Sequence, residues 1–363
     1  MEQFFLDLWH NKVYQAVLVL VFVELILLAT QSLWLVFRDI RRSVKERRQE
    51  AFERELGESF FDAILDPEEG EVWVAKAKRH GESTVRGYLE PRLRVLAGDA
   101  LEGLSAIYRG LGLIERDLAM LRSRMWHRRV LAMRRLVFVA GEPERSALLA
   151  TRGDARAVSL LAAQGLARIG SGDDVVEVLR DLEVPRRLME QPVFVLLSSL
   201  KPQQFERVVE GYEQFTSDSM RKIVLIAAAR RGKVRIELVA DAARSDSVEL
   251  RFGAATASSF MSCQPSEEIL TTLLGDEVSE VRALAARSLG RRKALGALRS
   301  LARATGDSSF WVRQNVAAAL GSLGEVGRLE LERIVEEAED TFAVDTARQE
   351  LERMRVLSAR SAG

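Results

Sequence analysis

The sequence predicts an all-α protein: an α-solenoid of about eight helix pairs, preceded by one transmembrane helix and a helical neck. Three observations lead there. An apolar run lies near the N-terminus, a positional frame recurs every 30 or 31 residues over the C-terminal part, and apolar residues keep helical spacing without a competing strand pattern. The 363 residues carry 53 Lys plus Arg against 53 Asp plus Glu. A general nucleic-acid coat or an acidic disordered tail would need an excess of one sign. Cys263 is the sole cysteine, so no intrachain disulfide and no Cys-based zinc site is available.

Residues 1–37 form the N-terminal tail and membrane helix. From Ala16 to Phe37 the chain reads AVLVLVFVELILLATQSLWLVF, which at about 1.5 Å per residue covers the roughly 30 Å hydrocarbon core of a bilayer. Trp9 and Tyr14 flank one end and Trp34 the other, where amphipathic rings settle at headgroup level. Before the run stands only Lys12 as a strong base, with Glu2 and Asp7, which is wrong for a secretory leader. After it come Arg38, Arg41, Arg42, Lys45, Arg47 and Arg48. The positive-inside rule then gives a single-pass inner or plasma membrane protein with its N-terminus outside and its body in the cytoplasm. The same bases are suited to anionic lipid headgroups. Glu24 sits near mid-span, and Gln31, seven residues on, shares its helical stripe. Either a protonated Glu is tolerated in an apolar helix, or both side chains meet another transmembrane segment. The second reading is preferred, because one helix alone has nowhere to hide them.

Residues 38–124 read as a basic juxtamembrane segment and a helical neck or cap. Helical patterns run through QEAFERELGESFFDAIL, break at DPEEGE and resume from TVRGYLEPR. An end repeat has no neighbour to cover it, so a specialised first layer is expected.

Residues 125–354 carry the repeat. DEVSEVRALAARSLG from Asp276 aligns without a gap to DSSFWVRQNVAAALG from Asp307. With the Arg as anchor, the frame passes through Arg129, Ser159, Glu190, Arg221, Arg251, Arg282, Arg313 and Val344. Three residues past each anchor stand Ala132, Ala162, Val193, Val224, Ala254, Ala285, Val316 and Ala347; seven past stand Leu136, Leu166, Leu197, Ala228, Ser258, Leu289, Leu320 and Leu351. Those offsets share one helix face, and small residues there allow close helix approach. Each unit resumes with a second amphipathic stretch, as at Asp173, Gln204, Glu267 and Ala294. Asp154, Asp246, Asp276 and Asp307 precede first helices where an N-cap is expected. Residues 355–363, with SARSAG, read as a flexible tail.

The period and the D…VR..AA..LG wording resemble HEAT repeats, in particular the short variety of phycobilin-lyase-like proteins. Asp276, Val281, Arg282, Ala285, Ala286, Leu289 and Gly290 carry the match, which extends over about Met125 to Met354; Ser159, Glu190 and Val344 depart from it at the anchor. The resemblance implies a structural ladder between adjacent units from Asp246, Arg251, Asp276, Arg282, Asp307 and Arg313.

Catalytic signatures are close to absent, and neither an enzymatic activity nor a cofactor is expected. His10, His80 and His127 are scattered without a metal-pair spacing. Gly321, Gly324 and Gly327 form a GxxGxxG string that no strand precedes, so turns between helices explain it better than a dinucleotide. One region is locally basic: Arg122, Arg124, Arg128, Arg129, Arg134, Arg135, Arg145, Arg152 and Arg156 face only Glu142, Glu144 and Asp154. Its readings are solvated or internally paired faces, an acidic partner or lipid headgroups, centred on Arg122 through Arg135, and last nucleic acid.

The function these features imply is a membrane-anchored cytoplasmic scaffold that binds partner proteins on the solenoid surface, with an integral membrane protein as one partner. The layout is similar to bacterial single-span HEAT proteins that accompany membrane glycosyltransferases making exopolysaccharide. A lyase or chaperone-like role on a modified client protein, and nucleic-acid binding, are the alternatives.

Overall fold

The computed structural model describes residues 12–170, 172–182 and 190–362, and every regular element among them is helical. The chain forms two compact units, Met1–Asp117 and Leu118–Gly363.

In the first unit, α1 (Lys12–Leu56) carries the apolar run and continues through the basic segment into the neck. No Gly or Pro stands between Phe37 and Gly57, so nothing in that stretch stops the helix. From Val19 to Phe37 every described residue is exposed, whereas Phe52 and Leu56 are fully buried. There follow α2 (Phe60–Leu65), α3 (Pro67–Ala77), α4 (Glu82–Arg92), α5 (Asp99–Gly110) and α6 (Leu113–Leu121). The DPEEGE stretch is the start of α3 and not an extended break. Asp66 is the N-cap and accepts from the Glu68 N–H at 2.8 Å, Pro67 takes the first turn, and Glu68 and Glu69 sit at the positive end of the helix dipole. The core is aromatic: Phe52 meets Trp73 and Tyr88 with ring centroids 5.8 and 5.1 Å apart, and the Trp73 indole N–H donates to the Leu56 carbonyl at 3.0 Å. Beside it, Arg86 and the Tyr108 hydroxyl both donate to the buried Asp117 carboxylate, at 3.0 and 3.1 Å. Burial pulls the Arg86 guanidinium down, and the bonds to Asp117 and Glu82 outweigh it and raise it.

The second unit is the repeat array. Its first helices are α7 (Trp126–Val139), α9 (Arg156–Ile169), α11 (Glu190–Ser199), α13 (Asp218–Arg230), α15 (Val248–Ser258), α17 (Ser279–Arg292), α19 (Phe310–Ser322) and α21 (Thr341–Ala362). Between them lie the second helices α8 (Arg145–Leu149), α10 (Gly172–Asp181), α12 (Pro202–Glu210), α14 (Ile236–Ala243), α16 (Gln264–Leu273), α18 (Leu298–Ala304) and α20 (Glu325–Glu337). Helix α21 takes in residues 355–362.

The periodic stripe is the core. Ala132, Ala162, Val193, Val224, Ala254, Ala285, Val316 and Ala347 are all fully buried, as are Leu136, Leu166, Leu197, Leu289 and Leu320 seven residues past their anchors. Each such leucine is worth roughly 1.5–3 kcal/mol of transfer free energy, so the stripe and not any single contact holds the units together. Helices α17 and α19 approach closely backbone to backbone: a Cβ on Gly290 would lie 2.6 Å from the Ala319 Cα. The GxxGxxG glycines belong to the same economy of space. Gly324 has φ +72° ahead of α20, and a Cβ on Gly327 would fall 1.8 Å from the Leu320 carbonyl oxygen.

Candidate functional site

The anchor arginines join loops along one edge of the first helices. Arg282 donates through Nε and Nη2 to the Asp307 carboxylate, at 2.7 and 2.8 Å, and through Nη1 to the Asp276 and Glu277 carbonyls, at 2.8 and 3.1 Å. Arg251 does the same with Asp276, at 2.7 and 3.2 Å, and with the Ser245 and Asp246 carbonyls, both at 3.0 Å. Arg129 repeats the geometry with Asp154 and with the Ser123 and Arg124 carbonyls. One edge of the planar fork therefore fastens the loop of its own unit and the other reaches 25 residues ahead to the next. These bonds raise the arginines above their ordinary value. At Asp307, burial pushes the carboxyl up, and the Arg282 guanidinium and the Ser309 N–H outweigh it, holding it below the usual range.

The ladder is incomplete at both ends of the run anchored by Arg251, Arg282 and Arg313. Asp246 gives Arg251 its backbone carbonyl, and among the described residues its carboxylate has no ion-pair partner; Arg221 turns instead to the Phe215 and Glu213 carbonyls. Arg313 binds the Asp307 and Ser308 carbonyls and stacks on Phe342 at 4.8 Å, while its buried Nε has no hydrogen-bond partner among the described residues. The aspartates are not N-caps. Those positions belong to Ala155, Ser247, Val278 and Ser309, and Asp276 and Asp307 accept from the Val278 and Ser309 N–H groups at 2.9 and 2.8 Å as turns ahead of the helix.

A second series at the other end of the first helices has no counterpart in the sequence reading. Arg292 donates to the Ser258 and Cys263 carbonyls, both at 3.1 Å, Arg231 to those of Ser198 and Leu200 at 3.2 and 2.9 Å, Arg168 to that of Val137 at 3.0 Å, and the Ser322 hydroxyl to that of Gly290 at 2.7 Å. Each side chain stands nine or ten residues past its anchor and bonds carbonyls near the end of the preceding first helix or in the turn that follows it. A search for arginines at that offset would have found three of the four.

Glu24 and Gln31 are exposed on α1, as are Arg38, Arg41, Arg42, Lys45, Arg47 and Arg48 beyond the apolar run. Arg38 lies over the Trp34 ring at 5.2 Å and Arg41 over Phe37 at 4.3 Å, so the first bases fold back on the last aromatics. Trp9 and His10 lie outside the described residues, as does the Tyr14 side chain.

The structure divides the basic region in two. Arg129, Arg145 and Arg152 are turned to carboxylates: Arg129 to Asp154, Arg145 to Asp174, and Arg152 to Glu177 and Asp181. Arg135 approaches the Met120 sulfur at 3.7 Å. Arg122, Arg124, Arg128 and Arg134 are exposed and form no ion pair among the described residues. His80 lies 3.2 Å from Glu55, and His127 packs edge-on against Trp126. Among the described residues no three His, Cys, Asp or Glu side chains gather as a metal ligand set.

A family model described as HEAT repeats matches residues 266–352, a stretch that contains the Arg282–Asp307 rung. No curated protein matches the chain. Among solved structures, an engineered protein from a structural genomics consortium is similar over 82% of this chain and 99% of its own, with 17% identity and a TM-score of 0.34. A designed armadillo repeat protein is similar over 66% of this chain and 99% of its own, with 16% identity and a TM-score of 0.24. Residues 266–352 thus carry HEAT repeats, in a chain whose described residues are helical and include one long apolar N-terminal helix.

Proposed function

We propose that this protein is a single-pass membrane scaffold whose repeat array lies in the cytoplasm and binds a partner protein, an integral membrane protein foremost. The observation that carries the reading is α1. It is long and apolar enough to cross a membrane and is exposed throughout from Val19 to Phe37, yet Glu24 and Gln31 stand on one stripe of it. A carboxyl and an amide in hydrocarbon cost several kcal/mol unless another helix supplies hydrogen-bond partners. The basic residues from Arg38 to Arg48 set the orientation and hold anionic headgroups. The array contributes a long surface of stacked helix pairs, which recognises proteins without chemistry of its own. By the resemblance to single-span HEAT proteins, a glycosyltransferase of exopolysaccharide synthesis is the partner class proposed.

The test is affinity isolation of the full-length protein from gently solubilised membranes, with co-purifying chains identified by mass spectrometry. A multi-span protein recovered in near-equal amount, and lost from the Glu24→Leu variant, is the expected result. Undiminished recovery with Glu24→Leu removes the intramembrane contact, and the absence of any multi-span chain removes the proposed partner.

A further inference from the structure

The four arginines that form no ion pair among the described residues do not stand alone. No acidic residue lies between Asp117 and Glu142, whereas six arginines do. On α7, Arg128, Leu131 and Arg134 follow one another at three-residue steps, so a single exposed stripe alternates base and leucine. Ahead of them, Arg122, Arg124 and Met125 in the turn before α7, and Trp126 at its first position, are exposed as well. Trp126 is 59% exposed, Met125 50% and Leu131 47%, a cost in water that packing within the array does not offset. Neighbouring carboxylates are already committed: Asp117 to Arg86 and Tyr108, Glu144 to the Gly141 N–H, Asp154 to Arg129, Asp174 to Arg145, and Glu177 to Arg152. The first turn of α7 also holds His127, Arg128 and Arg129 and no acid, which adds cations to the positive end of the helix dipole.

Arginines for the headgroups, an indole for the interface and short apolar side chains for the acyl boundary are together what an anionic bilayer surface takes up. An acidic polypeptide would match the guanidinium groups alone, whereas exposed arginines together with an exposed indole and leucine fit a fluid, negatively charged plane. We infer that Arg122, Arg124, Arg128 and Arg134, with Trp126 and Leu131, form a docking patch for the surface of an anionic membrane. The inference rests on the reading of α1 as a membrane span, since that helix keeps the array within reach of a bilayer.

The test uses the full-length protein in lipid nanodiscs containing acyl-brominated lipids, which quench nearby indoles. Two difference signals are read, wild type minus Trp34→Phe and wild type minus Trp126→Phe, in phosphatidylcholine discs and in discs of phosphatidylcholine with phosphatidylglycerol. Trp34 is expected to be quenched in both. Trp126 is expected to lose about half its emission in the anionic discs only, and to regain it at about 0.5 M salt, where surface charge is screened. The variant with Arg122, Arg124, Arg128 and Arg134 all changed to Gln is expected to behave in anionic discs as the wild type does in neutral ones; should that variant fold poorly, the salt series on the unmodified protein reads the same dependence on charge. Trp126 unquenched in anionic discs, with Trp34 quenched, overturns the docking patch and leaves the span standing; an acidic polypeptide that then shields Trp126 would be the occupant instead. Trp34 unquenched in both discs removes the span and the patch with it.

Discussion

The repeats anchored by Arg251 and Arg282 and those anchored by Ser159 and Glu190 bury the same stripe, yet different chemistry joins each to the repeat that follows. In the first region a guanidinium fork ties two successive loops. In the second, the Ser159 hydroxyl donates to the Thr151 and Asp154 carbonyls, at 3.2 and 3.3 Å, and reaches no further. At the next anchor the polarity is reversed: Glu190 takes the Lys222 ammonium from 32 residues ahead at 2.8 Å. Linkage also moves to the second helices, where Arg145 at the start of α8 binds Asp174 in α10, and Gln204 in α12 donates to the Ala167 carbonyl at 2.6 Å. Burial thus sets the period, and the polar rungs that keep neighbours in register are exchangeable in residue type, sign and position.

Substitutions that act differently in the two regions sharpen this contrast. The largest effect is expected at the glycines. Gly290→Ala places a Cβ against the Ala319 backbone, which cannot give way, and should cost about 2–3 kcal/mol. Gly165→Ala meets the Leu148 Cδ1 at 3.2 Å, the end of a side chain that can shift, and should change stability by less than about 1 kcal/mol. Urea unfolding of the full-length protein in micelles, followed by circular dichroism, compares the two; equal costs would show that close helix approach does not distinguish the regions.

Next comes the anchor itself. Arg282→Ala strips a largely buried Asp307 carboxylate of its guanidinium partner and leaves it only the Ser309 N–H, an expected loss of about 2 kcal/mol, whereas Ser159→Ala gives up a neutral hydroxyl worth about 1 kcal/mol. A smaller effect follows from Asp307. Its folded carboxyl titrates below its unfolded value of about 3.9, so the stability it contributes is complete above that pH and is lost as pH falls through the lower folded value. Acid unfolding of Asp307→Asn should therefore start from a lower stability at neutral pH and show a shallower loss below about pH 4; a slope equal to that of the wild type would mean the pair contributes nothing. Smallest is Ser258→Ala. That hydroxyl sits in the buried stripe of α15 with no partner for its Oγ among the described residues, and its removal should raise stability by about 1 kcal/mol, read as a higher urea midpoint.

What was legible in the sequence is what repeats by residue type. The small residues three past each anchor mark a face, and a face marks a helix, so the pairs and their period can be read directly. The anchor arginines can be located in the same way, but their partners cannot, because the aspartate each one binds lies in the loop of the following unit and shares no helix with it; only the resemblance to HEAT repeats supplied the ladder. The series of Arg168, Arg231, Arg292 and Ser322 bonds backbone carbonyls, which leave no mark in a sequence, and mixes two residue types. The exchange of Lys222 with Glu190 hides behind the reversal of sign. At Asp66 and Pro67 the signal was present, a capping carboxylate followed by Pro and two acids, and it denotes a helix start as readily as a break. Within the basic region the sequence showed the charge but not which arginines were already bound, and that distinction isolates the patch around Trp126.

The central claim is that guanidinium rungs, beyond burial alone, join neighbouring repeats in the C-terminal region. Native-state hydrogen exchange on the full-length protein and on Arg282→Ala tests it most directly. The expected result is that α15, α17 and α19 exchange together with the highest protection, that Arg282→Ala lowers the protection of α17 and α19, and that α9 is unchanged. Equal protection of α9 and α17 in the unmodified protein, or an equal drop in both on Arg282→Ala, would contradict it.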